Sequence, residues 1–173
     1  MKNIIVKIHF CLLFSLTLQV LVAQNKKNDA NNTQLWKYEI EGIGTGVQGS
    51  YQVKIWSYGT DQERVIEQAK KNAVHGAIFK GFPDNNRIKG QKPLASNPNL
   101  EQEQLPFFDE FFALGGKYLK YVTLLANGAI LPEDRIKMGK SEYKIGVIVN
   151  VNIAGLRKDL ENAGIIKALT TGF

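Results

Sequence analysis

Past residue 23 the chain has no cysteine and one histidine, His75, and each shortage closes off a class of chemistry. Without cysteine there is no disulfide, no thiol nucleophile and no thiolate metal site. With a lone histidine, the common zinc and copper sites are excluded as well. A Ser-His-acid triad would have to use His75, and no serine stands in a nucleophile-elbow context. His75 falls in the middle of a helical pattern, beside its small-residue face, and reads as a surface or boundary histidine. The sequence therefore assigns no catalytic residue, no metal and no cofactor. Internal repeats are lacking too.

Long apolar runs are confined to the N-terminus. Lys2 and Lys7 precede an apolar stretch over 10–23 that ends in Leu21, Val22 and Ala23. A basic start, an apolar middle and a small-residue end make a secretory signal peptide, with cleavage expected after Ala23. Ser15, Thr17 and Gln19 interrupt the run, which is shorter than the ~20 residues of a membrane span. Cys11 has no small-residue lipobox ahead of it. A periplasmic or secreted protein with no transmembrane segment after cleavage is the expectation. Removing 23 of 173 residues leaves 150, and with Lys2 and Lys7 gone the 20 basic side chains face 16 acidic ones. That is one domain's length, with a core large enough to need no staples. Outside the cytoplasm the basic surplus reads first as ordinary solubility and next as a match for an acidic envelope surface or a protein partner, not for nucleic acid.

Residues 24–34 are polar and Asn-rich and read as a flexible leader, so a single domain is expected over 35–173. Its organising stretch is 36–82. Trp36, Tyr38 and Ile40 alternate with Lys37, Glu39 and Glu41; after a Gly-rich turn, Tyr51, Val53 and Ile55 alternate with Gln52, Lys54 and Trp56. Period-two alternation predicts an antiparallel hairpin with one dry and one wet face. Thr60 and Glu63 then form a capping-box pattern ahead of a helix whose buried arc is Val65, Ile66, Ala69, Ala73, Gly76 and Ala77. Small residues on that arc predict close packing on the hairpin.

A loop without periodicity follows over 83–106, basic first (Arg87, Lys89, Lys92) and acidic later (Glu101, Glu103). A loop of that length in a compact domain is either an insertion or a binding element. Pro106 then opens a short helix carrying Phe107, Phe108, Phe111 and Phe112. Four rings on one broad face make either a docking surface or a lid on the core. Residues 117–127 read as strand by their Tyr, Val and Thr content, with helix the alternative that Leu and Ala allow, and another strand is expected at about 134–138. The clearest strand runs from Tyr143 to Val151, with Ile148 on its second face, before a helix capped by Asn152 and stopped by Gly164. The expected fold is α+β, a mainly antiparallel sheet covered by helices in the order ββα, long loop, αβββα.

Two suggestive patterns dissolve on inspection. Glu39 and Glu41 share a strand face at glycosidase-like spacing, but alternation puts that face in water. The glycines at 42, 44 and 46 join strand to strand, whereas phosphate cradles need strand, loop and helix.

A strand ending in Glu41-Gly42-Ile43-Gly44, a helix reading Gln68-Ala69-Lys70-Lys71-Asn72-Ala73-Val74-His75-Gly76-Ala77, and a strand into Asn150-Val151-Asn152 before a leucine-spaced helix resemble small periplasmic envelope-assembly domains. The flagellar-assembly FlgT-type N-terminal domain and similar surface lipoproteins are the examples. The resemblance implies a non-catalytic assembly role with an envelope protein as partner. The candidate partner-binding residues are Phe107, Phe108, Phe111 and Phe112 with Arg87, Lys89 and Lys92. The alternative is a ligand-binding or hydrolytic domain using Glu101, Glu103, Asp109 and Glu110.

Overall fold

The computed structural model describes residues 36–168 apart from Gln48 and Arg87; the segments expected as signal peptide and leader, and the candidate Arg87, lie outside the described residues. The compact unit that begins at Lys37 is an α+β domain with a five-stranded antiparallel sheet. Strands β1 (Tyr38–Thr45) and β2 (Ser50–Gly59) form the expected hairpin. Helix α1 (Gln62–Phe79) follows, then two short helices, α2 (Leu100–Glu103) and α3 (Leu105–Phe111). After a 3-10 turn at Lys117–Tyr121 come β3 (Val122–Leu124), β4 (Arg135–Lys137), β5 (Tyr143–Asn152) and α4 (Ile153–Asn162). The strand order is β1-β2-β5-β3, with β4 also on β5, so β5 is central as its two-sided apolar pattern predicted.

Alternation sorts the sheet into two faces. Val53, Ile55 and Ser57 of β2 and Ile145, Val147, Val149 and Val151 of β5 are buried on one. At 0–2 % exposure, each apolar side chain here contributes about 1.5–3 kcal/mol over leaving it in water. Gln52, Lys54, Trp56, Tyr58, Lys144, Ile148 and Asn150 are only half-buried on the other face.

Helix α1 lies on the dry face. Its contact is close because Gly76 meets β1: a Cβ there would come 2.8 Å from Ile40 Cδ1 and 3.4 Å from the Tyr38 ring. The terminal methyl of Ile40 can move, and alanine recovers about 1 kcal/mol of helix propensity. Gly76→Ala is therefore expected to be near neutral in urea denaturation. Gly76→Leu should cost on the order of 1–3 kcal/mol by overpacking; equal midpoints for the two variants would contradict this packing. Next to Gly76, Asn72 is fully buried but satisfied: its amide donates to Ser57 Oγ at 2.9 Å and it accepts from Gln68.

The second half of α1 is buried on nearly every side, from Asn72 through Ile78. That burial was not legible from its amphipathic pattern, and its cause is the segment after it. Residues 83–106 are no loose insertion: Phe82 and Gln91 exchange backbone hydrogen bonds at 2.9 Å, and Ile88, Leu94, Ala95 and Leu100 are buried. The N–H groups of Leu94 and Ala95 donate to the carbonyls of Ala77 and Ile78 at 3.1 and 2.9 Å. They satisfy carbonyls that a helix end leaves without partners.

Three local readings need correction. The helix N-cap is Asp61, not Thr60; its carboxylate accepts from the Arg64 N–H at 2.9 Å. The glycine turn begins later, because Gly42 and Gly44 belong to β1 and flank a bulge at Ile43. Most of 117–127 is not strand. A 3-10 turn points Tyr118 and Tyr121, three residues apart, inward together. The Tyr121 ring stacks on Phe111 at 6.0 Å and its hydroxyl donates to Asp159 at 2.7 Å, bringing α4 into the same layer. Burial, then that carboxylate, push the Tyr121 phenol up to about 12. The caps of α4 agree with the sequence: Asn152 Oδ1 accepts from Gly155 N–H at 2.8 Å, and Gly164 takes φ +69°.

Candidate functional site

Three of the four phenylalanines singled out above are core residues. Phe108, Phe111 and Phe112 are 2 %, 3 % and 5 % exposed, and only Phe107 is half-buried. Phe108 packs edge-on to Phe79 of α1 at 5.1 Å, and Phe112 meets His75 at 5.9 Å and Tyr118 at 6.0 Å. The docking reading of Phe108, Phe111 and Phe112 is thereby corrected. Their i,i+4 spacing was right, but the face they form turns onto α1, because the 83–106 segment brings α3 back over that helix. Phe107 remains at the surface beside Leu105, with Leu114 beyond the helix end. Lys89 and Lys92 are exposed, on a segment anchored elsewhere: Ile88 and Phe82 pack on Gly42 of β1, and Asn85 donates to the Gly42 carbonyl at 2.6 Å. The aromatic and basic candidates thus do not share an anchor.

His75 is the larger surprise. It is 4 % exposed, with Tyr38 Oη 2.7 Å from Nδ1 and Glu101 Oε2 3.2 Å from Nε2. A carboxylate only accepts, so Nε2 carries the proton; the neutral ring's Nδ1 then accepts from the Tyr38 hydroxyl. The chain ties β1, α1 and α2 together. Burial pushes the imidazole down, against the opposing pull of Glu101. The Tyr38 phenol is pushed up, by burial first and then by the Glu101 charge, the opposite of what a phenolate nucleophile needs. Both ring nitrogens are occupied, so this network holds elements together and does not present a reactive group. Among the described residues no three His, Cys, Asp or Glu side chains converge as metal ligands would. Sequence reasoning missed the network because its members are 37 and 26 positions apart.

The pH dependence follows from the sign of the shift. The folded imidazole holds its proton less well than the unfolded one, near ~6.5. As pH falls below that value the unfolded state takes up the proton first, so stability is lost. The melting temperature is expected to fall between about pH 7 and pH 5, above the ordinary carboxylate range, and His75→Gln should flatten that fall. Parallel slopes for the parent and the variant would contradict the assignment.

The wet face of the sheet carries the other constellation. Trp56 pairs across strands with Gly146, where a Cβ would come 3.1 Å from Trp56 Cζ3 and 3.2 Å from Asp134 Cβ. Glycine in a central strand marks such a close approach; here it lets the indole lie across β5. Lys54 Nζ donates to Asp134 Oδ1 at 2.6 Å, and Asp134 is 3 % exposed. Lys54 and Lys144 stand 5.5 and 5.1 Å from the Trp56 ring, and Lys37 stands 4.6 Å from Tyr58. Glu39 accepts from Lys144 at 2.7 Å and from Tyr58 at 3.0 Å, and those bonds, Lys144's first, hold its carboxyl below the usual range. The result is a pre-arranged surface of two aromatic rings set among alternating charges, edged by the 3-10 turn at Pro132–Asp134 that carries Asp134. The alternation of Trp56 outward and Gly146 on the second face of β5 was the sequence signal for it.

Neither a protein-family model, a curated protein nor a solved structure matches this chain. Among the described residues no helix is long and apolar enough to cross a membrane.

Proposed function

We propose that this chain is an exported, non-enzymatic module of the cell envelope that binds a protein partner through the open face of its sheet. The observation that carries the reading is Trp56 lying on Gly146 with Tyr58 beside it on a mainly polar face. Tryptophan and tyrosine are among the side chains that most often dominate protein interfaces. Export rests on the N-terminal pattern of residues 1–23, and the assembly role rests on the resemblance to envelope-assembly domains.

The competing reading places ligand binding or hydrolysis on the acidic residues near 83–106. Weighing against it, Glu101 is turned to His75, Glu103 accepts from Asn97 at 2.8 Å and Glu110 accepts from Lys117 at 2.9 Å. A nucleic-acid reading of Lys54 and Trp56 is weakened by Asp134, which already holds the Lys54 ammonium.

The test is affinity capture of partners from the envelope fraction, with the parent and with Lys37→Ala/Tyr58→Ala as baits. Both side chains are on the surface, so the variant should melt like the parent while its stoichiometric partner falls at least tenfold. Equal capture by the two baits, or no partner with the parent, would overturn the reading.

A further inference from the structure

The hairpin of β4 and β5 combines features that neither the core nor the proposed protein contact uses. All of 131–141 is exposed except Asp134. Leu131, Ile136 and Met138 are 48 %, 45 % and 53 % exposed, an uncommon density of bare aliphatic side chains on one short segment. Arg135, Lys137 and Lys140 interleave with Ile136 and Met138, and 135–140 contains no acid. Arg135 stands 4.4 Å from the Tyr143 ring, and neither Lys137 nor Lys140 is in an ion pair among the described residues. The flanking Glu133 and Glu142 are the nearest acids in sequence outside the Lys54–Asp134 pair.

The tip is built rather than frayed. Met138 N–H and Gly139 N–H donate to the Glu142 carbonyl at 2.9 and 3.3 Å, and the register pairs Ile136 with Lys144. A Cβ on Gly139 would meet nothing within 4 Å, so the turn projects into open space.

We propose that this hairpin is a contact site for an anionic phospholipid surface. Alternation sets Ile136 and Met138 on one face of the hairpin and Arg135 and Lys137 on the other. The hairpin therefore enters edge-on, with the aliphatic side chains in the interfacial region and Arg135, Lys137 and Lys140 reaching headgroup phosphates. Aliphatic side chains interleaved with cations are what such a surface binds, through shallow apolar burial and roughly 1 kcal/mol per basic residue. Strand addition by an acidic peptide fits less well, since β4 offers only three residues of edge. The surplus of 20 basic over 16 acidic side chains past residue 23 draws the chain toward the same surface. This inference does not depend on the protein contact at Trp56 and Tyr58, and the two are tested by different variants.

The experiment is co-sedimentation of the purified protein with vesicles of phosphatidylglycerol and phosphatidylethanolamine, against vesicles of phosphatidylcholine. Ile136→Ser/Met138→Ser and Lys137→Glu/Lys140→Glu are compared with the parent. The expected result is binding to the anionic vesicles only, reduced about tenfold or more in each double variant, with melting temperatures within about 2 °C of the parent. Equal binding to both vesicle types, no binding to either, or binding that survives the serine variant and so rests on charge alone would overturn the proposal.

Discussion

Truncation of Phe108 to alanine is expected to destabilise the domain by about 3–5 kcal/mol, the range for emptying a buried aromatic site. Phe108 is 2 % exposed and its ring meets Phe79 at 5.1 Å, Phe112 at 6.1 Å and Phe111 at 6.4 Å. No single neighbour can move in to fill the space, because the surrounding rings already hold one another: Phe111 stacks on Tyr121, and Phe112 packs at a tilt against Tyr118. Phe107→Ala, one position away, removes a half-buried ring and should cost less than half as much. The comparison is a pair of urea transitions. If the two variants unfolded at the same midpoint, α3 would not be the inward-facing lid described here.

Gly81→Ala is expected to be the most damaging single-methyl change in the loop region. Gly81 closes α1 at φ +64°, its N–H donating to the Gly76 carbonyl at 2.7 Å. Any other residue there costs about 1–2 kcal/mol for the left-handed conformation alone. A Cβ would also run into the Gln91 carbonyl oxygen and come within 2.9 Å of Pro93 N. These are backbone atoms, which cannot swing aside as the end of a side chain can. Relief requires the 82–91 bridge to open, exposing Ile88 and freeing the N–H groups of Leu94 and Ala95 from the end of α1. Hydrogen exchange should therefore accelerate at Gln91, Leu94 and Ala95 in the variant while β5 amides stay protected. Unchanged exchange at those three positions would show that the bridge does not depend on Gly81.

What the sequence made legible was whatever rests on local periodicity. The hairpin, the long helix, the central strand and the final helix with its Asn152 cap follow from alternation, helical spacing and capping chemistry, and the α+β order follows from them. What it hid was long-range closure. Nothing local to Phe108 says that α3 folds back on Phe79, so the frequent burial of phenylalanine favoured a lid on the core without locating what it covers. His75 looked peripheral because its partners, Tyr38 and Glu101, arrive from a strand and from the far end of the loop. The loop itself looked featureless because its order comes from isolated bonds, to the C-terminal end of α1, to Gly42 and across the Phe82–Gln91 bridge, which leave no pattern. The open face was half legible: alternation placed Trp56, Lys54 and Glu39 in water, but only the register of β2 on β5 reveals that Trp56 rests on Gly146.

The central proposal is that the Trp56–Tyr58 face of the sheet, not the helical side, meets the partner. The most direct measurement is photo-crosslinking in the producing cells, with a benzoylphenylalanine at Tyr58 in one variant and at Leu114 in another. Leu114 is 96 % exposed on the helical side and so is a fair control for accessibility. The account predicts an adduct of one defined mass from position 58 and none from position 114. An adduct from position 114 alone, with position 58 silent, would contradict it and return the contact to the surface around Phe107.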